Sequence, residues 1–395
     1  MKIHSNMIRN TVSIFAIVCL FVACSPNRNG EQELLFTEVT VDDKGADRQA
    51  TEFFEQIDSV FVLDLQTADR FLLGSIGRVR WVDEKIYVLD NTNALYLYDR
   101  QGNPLFQVGR QGRGPGEYIG IRDFYVTAQH ILLFDDSNSN LIVYDKEGVF
   151  QYNWETEAYD IGLIDDRTLV EHDGAGTLTV KNLNGEVLRE FTLDFHGLEA
   201  VDAPCFSSWN GQLSFTDPIN QCVYRVSPDS LTPSVRLNLG SWQIPSTYYN
   251  SFQGEAPNNT YLNVYQKTSF ETNYGLLRGY EEGSSWEYYP FTVKMMTKKV
   301  YRHKASGRTF LLELPLTDKN IDPGFLILGI SGGTSAGDFF VTSVDPERVL
   351  DFLETDSIKN PMLLRLRERI QDMNISPEGN PLLLFYRLKN FIFKA

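Results

Sequence analysis

The strongest constraint on the fold is an internal repeat with a period of about 45 residues. The segment KIYVLDNTNALYLYDRQG at 85–102 is echoed by HILLFDDSNSNLIVYDKEG at 130–148. Each copy has a β-rich run, an Asp with Asn or Ser turn residues, a second β-rich run ending in Tyr-Asp, and a turn with Gly. Short strands at this period are typical of propeller blades, whereas helical repeats need apolar residues every 3.6 positions. The repeat therefore predicts a propeller.

Fainter copies extend along the rest of the chain and end near Phe191, Val226, Phe310 and Lys389. Together with the two clear copies they predict six blades. Residues 361–373 instead place apolar side chains on one face and Arg and Glu on the other, as in an amphipathic helix. We predict an all-β fold over residues 34–395: a six-bladed β-propeller with a short C-terminal helix packed on it.

The glycine-rich stretch VGRQGRGPGEYIGIRDFYV at 108–126 raises the question of nucleotide binding. A P-loop needs Lys and Ser or Thr after its last Gly, and a dinucleotide fingerprint needs a following helix. Neither is present, because a β-rich run follows. Glycines permit positive φ and close backbone contact, so the stretch is predicted to cross from one blade to the next. The alternative is a ligand-binding loop formed by Arg110, Arg113, Glu117 and Tyr118.

The N-terminus has the pattern of an export signal. Basic residues precede an apolar run at 11–24 that is too short to span a bilayer comfortably, which predicts a signal peptide over residues 1–23. The run ends in LFVAC, which resembles a bacterial lipobox and predicts lipid attachment at Cys24. An ordinary signal peptide with an incidental Cys is the alternative. Residues 24–33 have too little apolar content to fold and are predicted to be a flexible tether.

Two further cysteines, Cys205 and Cys222, flank a predicted strand–turn–strand–turn–strand unit. Counting back from both turns places each of them opposite Thr216, on opposite sides of the middle strand. Cysteines on the two outer strands would lie about 9–10 Å apart, and a disulfide needs Cα atoms within about 7 Å. We therefore predict two free thiols.

Composition and motifs exclude several functions. A formal net charge of −16 is unsuited to DNA or RNA, whose affinity depends on Lys and Arg. No histidines are spaced as ligand pairs, and DDSNSN at 135–140 lacks the Gly and Glu of a calcium loop, so it is predicted to be an Asx turn. We predict no metal and no cofactor, with a channel Ca²⁺ left open. The Gly-x-Ser-x-Gly matches at 329–333 and 333–337 precede a strand and no later histidine, so they do not predict a hydrolase.

Several segments resemble the six-bladed β-propeller lipoproteins of Bacteroidetes, relatives of the NHL-repeat propellers. They are ATEFFEQIDSVFVLDLQT at 50–67, IGRVRWVDEKIYVLD at 76–90, LYLYDRQGNPLFQVGRQGRGPGEY at 95–118 and NPLLLFYRLK at 380–389. The Gly-Pro-Gly-Glu-Tyr cluster is the most specific of these. The resemblance implies a propeller fold and an export route, and it implies no reaction. We predict anchoring in the outer membrane, with the periplasmic side slightly favoured over the cell surface, because no clear acidic export tag follows Cys24.

The candidate ligand-binding residues lie on the predicted inner strands, which line the central channel of a propeller. Arg78 and Arg80 share one strand face; Arg122 and Asp123 begin another inner strand. Arginines there would form a positive hub in an acidic protein, suited to carboxylates, phosphates or acidic sugars. The alternative is ion pairing with Asp and Glu of neighbouring blades.

The sequence thus predicts a lipid-anchored envelope protein that binds a carbohydrate, a peptide or an envelope protein, and assigns no catalytic residue. The alternative is an NHL-like propeller enzyme, a lyase or a metal-dependent lactonase or hydrolase, with its site at the central channel. One tightly bound Ca²⁺ or Zn²⁺ per chain would favour the enzyme.

Overall fold

The structure is a computed structural model that describes residues 36–41, 46–68, 70–199, 204–250, 272–313, 322–328, 335–336 and 338–390. Within these residues, six sheets of four or five strands form the blades of a propeller. The predicted all-β, six-bladed fold is confirmed. The predicted signal peptide, the tether and Cys24 lie outside the described residues.

The chain enters the propeller through three elements that we call the N-terminal belt. They are β1 (Thr37–Thr40), α1 (Ala46–Phe54) and β2 (Ile57–Leu63). Each contacts an element that comes much later in the sequence: β1 pairs in parallel with a strand of blade 4, α1 packs on blade 5, and β2 joins blade 6.

Blades 1 to 3 are four-stranded antiparallel sheets in chain order. Blade 1 contains β3 (Ile76–Val82), β4 (Lys85–Asp90), β5 (Leu95–Asp99) and β6 (Pro104–Val108). The short strands β7 (Arg110–Gln111) and β8 (Glu117–Tyr118) then pair in parallel within the crossing to the next blade. Blade 2 contains β9 (Asp123–Val126), β10 (His130–Asp135), β11 (Asn140–Asp145) and β12 (Phe150–Glu155). Blade 3 contains β13 (Asp160–Asp165), β14 (Thr168–His172), β15 (Thr177–Asn182) and β16 (Val187–Thr192).

Blades 4 to 6 depart from this regular pattern. Blade 4 contains β17 (Phe206–Trp209), β18 (Gln212–Asp217), β19 (Cys222–Val226) and β20 (Leu231–Asn238), with β1 on its outer edge, and is followed by α2 (Ser246–Asn250). The innermost strand of blade 5 is divided into β21 (Leu276–Leu277) and β22 (Glu281–Glu282), and both pair with β23 (Trp286–Val293); β24 (Met296–His303) and β25 (Thr309–Glu313) complete the blade. Blade 6 contains β26 (Ser335–Ala336), β27 (Phe339–Val344) and, after α3 (Pro346–Leu353) and α4 (Pro361–Gln371), β28 (Leu382–Leu388).

The ring closes in blade 6, where β2 forms the outermost strand antiparallel to β28. The rings of Phe61 and Phe385 stack across this pair with their centroids 4.4 Å apart. Main-chain hydrogen bonds therefore hold the N-terminal strand in the last blade, and the chain continues from β2 into blade 1.

The second strand of a blade is buried on both faces because neighbouring blades cover it from both sides. In β10, the apolar residues Ile131 to Phe134 are all buried, so they form a continuous apolar run without alternation. The outer strand β16 is mostly exposed. The buried strands explain why the repeat is clearest at 85–102 and 130–148, which contain the second and third strands of blades 1 and 2.

Buried aspartates at the ends of second strands hold the turns together. The Asp90 carboxylate accepts hydrogen bonds from the backbone N–H groups of Thr92 and Gly74, each at 3.0 Å. Asp135 accepts from Asn138 at 3.2 Å and from Ile119 at 2.8 Å. The predicted Asx turns are therefore confirmed, and each carboxylate also binds the chain that enters its own blade.

The predicted C-terminal helix is confirmed as α4. Asn360 caps it by accepting a hydrogen bond from the Met362 N–H at 2.9 Å, and Leu363, Leu366 and Ile370 are buried against the propeller. Three further helices among the described residues, α1, α2 and α3, were not predicted. In α1, Phe53 packs against Tyr301, with ring centroids 4.4 Å apart, so its stability depends on contacts distant in sequence. No helix among the described residues is long and apolar enough to cross a membrane.

The predicted free thiols are confirmed. Cys205 and Cys222 are buried, unbridged, and lie on opposite sides of β18. Thr216 donates its backbone N–H to the Cys205 carbonyl at 2.7 Å, whereas Cys222 pairs with Asp217, one residue from the predicted partner.

The glycine-rich stretch forms the predicted crossing between blades 1 and 2. Gly116 has φ +70°, and a Cβ there would lie 2.7 Å from Phe150 of the outer strand β12. Both the backbone conformation and the close approach require glycine at this position.

Replacement of Gly116 by Ala is expected to lower the free energy of unfolding by about 2–4 kcal/mol, because left-handed backbone strain and overpacking add. Gly185→Ala is the matched control: φ is +84° there, but nothing lies within 4 Å of the added Cβ. It should lose only the strain contribution, about 1–2 kcal/mol. Urea unfolding of both variants measures the difference, and equal losses would contradict the packing role.

Candidate functional site

A cavity of about 800 Å³, which we call the channel cavity, lies across the propeller axis. Residues of β3 in blade 1 and of β17 in blade 4 both line it. These blades stand opposite each other in a ring of six, so a cavity that touches both must cross the centre. Its charged lining residues are Arg78, Arg80, Arg278, Lys299, Glu281 and Asp338.

The structure brings together three of the four predicted channel residues. Arg78 and Arg80 line the cavity, and both pair with Asp123 on the inner strand of the next blade. Arg80 Nη1 lies 2.7 Å from Asp123 Oδ1, and its guanidinium stacks over the Phe124 ring at 4.6 Å. The arginines therefore form the ion pairs with a neighbouring blade that the alternative predicted, and they also line the central cavity. Their role in ligand binding stays a prediction.

Arg122 is not among the described residues that line the channel cavity. Its guanidinium lies 4.4 Å from the Tyr159 ring centroid and 3.5 Å from Asp136 Oδ2. Burial lowers the pKa of Arg122, but the nearby charges, chiefly those of Tyr159 and Asp160, together outweigh it and raise the pKa above its ordinary value. Arg122 thus supports the contact between blades 2 and 3, and a ligand role for it is untested.

Sequence reasoning missed Asp160, which begins the inner strand β13 and is 2% exposed. Its carboxylate accepts hydrogen bonds from the backbone N–H of Cys205 at 2.6 Å and of Ile161 at 3.0 Å. Burial, and then the charge of Asp123, raise the pKa of Asp160 to about 6. The signal that could have found it is positional, because Asp123 and Asp160 are the first residues of successive inner strands.

Lys299 was also missed. It is 1% exposed, lines the channel cavity, and its Nζ has no hydrogen-bond partner among the described residues. Burial lowers its pKa to about 7, partly offset by the charge of Glu281. The adjacent Lys298 instead pairs with Glu313, so two neighbouring lysines differ in charge environment. Nothing in the sequence KK distinguishes them.

The crossing loop places its predicted residues apart from the cavity. The Glu117 carboxylate accepts the Gly114 N–H at 2.7 Å and pairs with Arg110 at 2.6 Å, and these contacts lower the pKa of Glu117. Tyr118 is fully buried and Arg113 is exposed. In a phosphate-binding loop, an N–H such as that of Gly114 would point to the ligand, but here it donates to Glu117. This contact accords with the predicted role of the loop as a crossing between blades. The ligand-binding alternative for these four residues is untested.

Among the described residues, no group of three or more His, Cys, Asp or Glu side chains is arranged to hold a metal ion. The absence of a metal or cofactor stays a prediction.

The fold and the cavity define the class of protein as a six-bladed β-propeller with a ligand-sized space at its centre. The sequence profile of DUF4934, a domain of unknown function, matches residues 36–387, and the chain belongs to this family. The resemblance to six-bladed propellers of Bacteroidetes is thereby confirmed in family and fold, while lipid anchoring remains a prediction. Comparison with curated proteins finds no match.

Comparison with solved structures finds similar proteins. A "putative exported protein" from Bacteroides fragilis NCTC 9343 is 19% identical, with a TM-score of 0.70 over 90% of this chain and 100% of that chain. A DUF4221 member from Bacteroides vulgatus ATCC 8482 is 12% identical over 84% of this chain and 97% of that chain, with a TM-score of 0.45. Streptogramin B lyase is 11% identical over 66% of this chain and 74% of that chain, with a TM-score of 0.37. The Bacteroides fragilis structure has the same fold as this chain.

The raised pKa of Asp160 predicts a pH dependence of stability. Between about pH 4 and pH 6 the folded protein keeps a proton on Asp160 that the unfolded chain has released. The contribution of this group to the free energy of unfolding therefore falls, by about 3 kcal/mol, as the pH rises through this range. Asp160→Asn removes the titration, so the variant should gain stability relative to the wild type between pH 4 and pH 7.

Denaturant unfolding at several pH values measures this difference, with the exposed Asp229→Asn as the control. A difference between Asp160→Asn and the wild type that stays constant from pH 4 to pH 7 would contradict the assignment.

Proposed function

We propose that this protein is an exported, lipid-anchored propeller of the cell envelope that binds an acidic carbohydrate in its channel cavity. One observation carries the proposal: three arginines, Arg78, Arg80 and Arg278, line the cavity of a chain whose formal net charge is −16. Three carboxylates lie beside them, two on the lining and that of Asp123 behind Arg78 and Arg80, so the cavity is close to neutral within an acidic protein and is rich in guanidinium groups. Such a site favours carboxylates or phosphates.

The apolar part of the lining favours a carbohydrate among anionic ligands. Trp81, Trp209 and Tyr280 line the same cavity. Aromatic faces with a few convergent polar groups are typical of small-ligand sites. Binding of an acidic peptide, or of an acidic loop of an envelope protein, would be the other outcomes of the binding test.

The envelope location rests on the N-terminal pattern and the lipobox-like Cys24, in keeping with the description of the Bacteroides fragilis structure as exported. The outer membrane is the proposed site of anchoring, with the periplasmic side favoured. A lipid on Cys24 would make the membrane a partner of the chain.

Arg278→Gln is expected to weaken binding of oligogalacturonate by roughly tenfold to a hundredfold, because it removes a charge-assisted contact. Arg100→Gln is the matched control, since Arg100 lies on the surface and pairs with the exposed Glu84. Titration calorimetry with oligogalacturonate and its neutral methyl ester measures both effects. Equal affinities for the acid and the ester, or for the two variants, would refute an acidic-carbohydrate site.

Cys24→Ser is expected to move the protein from the membrane fraction to the soluble fraction, because the thiol that would carry the lipid is lost. Cys19→Ser is the control, since Cys19 lies in the predicted signal peptide and should leave with it. Fractionation and mass spectrometry of the N-terminal peptide give the readout. A Cys24→Ser protein that stays in the membrane fraction would count against the anchor.

A further inference from the structure

The most unusual group in the channel cavity is the amine of Lys299. The side chain is nine-tenths or more buried, lines the cavity, and its Nζ forms no hydrogen bond with the described residues. A buried ammonium without partners is very costly, so the neutral amine is favoured. A neutral amine has a lone pair and is a nucleophile.

The backbone of blade 5 opens a route from the axis to this amine. Its innermost strand is interrupted between β21 and β22, where Gly279 and Tyr280 line the cavity. Pro290 and Lys299, which pair across β23 and β24 behind the interruption, line the same cavity. A small molecule in the channel can therefore approach the blade at the level of Lys299.

The groups around the amine suit reversible carbonyl chemistry. The Tyr288 ring centroid lies 6.0 Å from Lys299 Nζ, and the Tyr288 hydroxyl is buried without a hydrogen-bond partner in the described residues. Burial raises the pKa of Tyr288 well above its ordinary value, so the phenol keeps its proton. Glu281 supplies a carboxylate whose charge acts on Lys299, and Arg278 lines the cavity beside it.

We propose that Lys299 forms a reversible imine with a small anionic carbonyl compound, such as an α-keto acid or a sugar acid with a free carbonyl group. The inference rests on the proposed anion-binding role of the cavity, because a guanidinium would hold the carboxylate while the amine meets the carbonyl carbon. It adds a covalent step that simple binding does not require.

The step is balanced without an oxidant or a reductant. The Nζ lone pair forms a C–N bond as the carbonyl π pair moves to oxygen, which takes a proton from the Tyr288 hydroxyl; a nitrogen proton passes to Glu281. The carbinolamine then releases water, its hydroxyl leaving with the proton held on Glu281, and the second nitrogen proton returns to Tyr288. One amine and one carbonyl compound give one imine and one water.

The test uses the whole protein, glyoxylate as the anionic aldehyde, and cyanoborohydride to reduce any imine. Peptide mapping should find N-carboxymethyl-lysine at Lys299 well above Lys298, and labelling of Lys299 should be half-maximal near pH 7. Lys299→Met should abolish this signal, whereas Lys298→Met should keep it. Labelling of Lys299 that does not exceed that of Lys298 would overturn the proposal.

A second measurement separates this inference from the proposed function. Glycolate has the same carboxylate but no carbonyl group, so it should compete with glyoxylate and slow labelling. Glycolate binding that Arg278→Gln weakens, without labelling of Lys299, would leave anion binding standing and refute the imine. Labelling of Lys299 by acetaldehyde as readily as by glyoxylate, with no competition by glycolate, would support the reactive amine and refute the anion site.

Discussion

The pairing of β2 with β28 is the contact on which the remaining structure depends. Each blade buries its faces against two neighbours, so an open ring would leave the facing sides of blades 1 and 6 in water. The apolar cluster between these blades contains Val79, Val88, Val341 and Phe385, all buried. Its stabilisation is realised only when the N-terminal strand completes blade 6. The main-chain ladder and the interblade core are therefore formed together.

The sequence predicted the fold better than the site because blades repeat and sites do not. The period and the Asx turns at Asp90 and Asp135 depend on local patterns that recur along the chain. The crossing between blades 1 and 2 could be predicted because Gly116 adopts a positive φ that favours glycine. The belt helix α1 was missed because its stability comes from Phe53 contacts with blade 5, which are distant in sequence. The predicted pair Arg78 and Arg80 followed from strand alternation alone.

The cavity illustrates what a linear pattern omits. Asp160 and Lys299 are ordinary residues in the sequence, and their character comes from burial and from nearby charges, which lie on another blade for Asp160 and on the same blade for Lys299. Burial raises the pKa of the acid and lowers that of the amine, because it disfavours the charged form of each. The same low-dielectric surroundings strengthen the contacts of Arg78 and Arg80 with Asp123. The charges of the groups in this cavity are therefore decided by the fold and not by composition.

The N-terminal belt has a consequence for the order of assembly. Asp58 of β2 and Arg387 of β28 form an ion pair although they are 329 positions apart. Synthesis begins at the N-terminus, so Phe53, Phe54 and Phe61 emerge long before β25 and β28 exist to cover them. Contacts between residues so far apart in sequence form slowly, and the aromatic side chains of the nascent belt stay exposed to solvent until then. The nascent belt is therefore prone to aggregation until blades 5 and 6 have been synthesised.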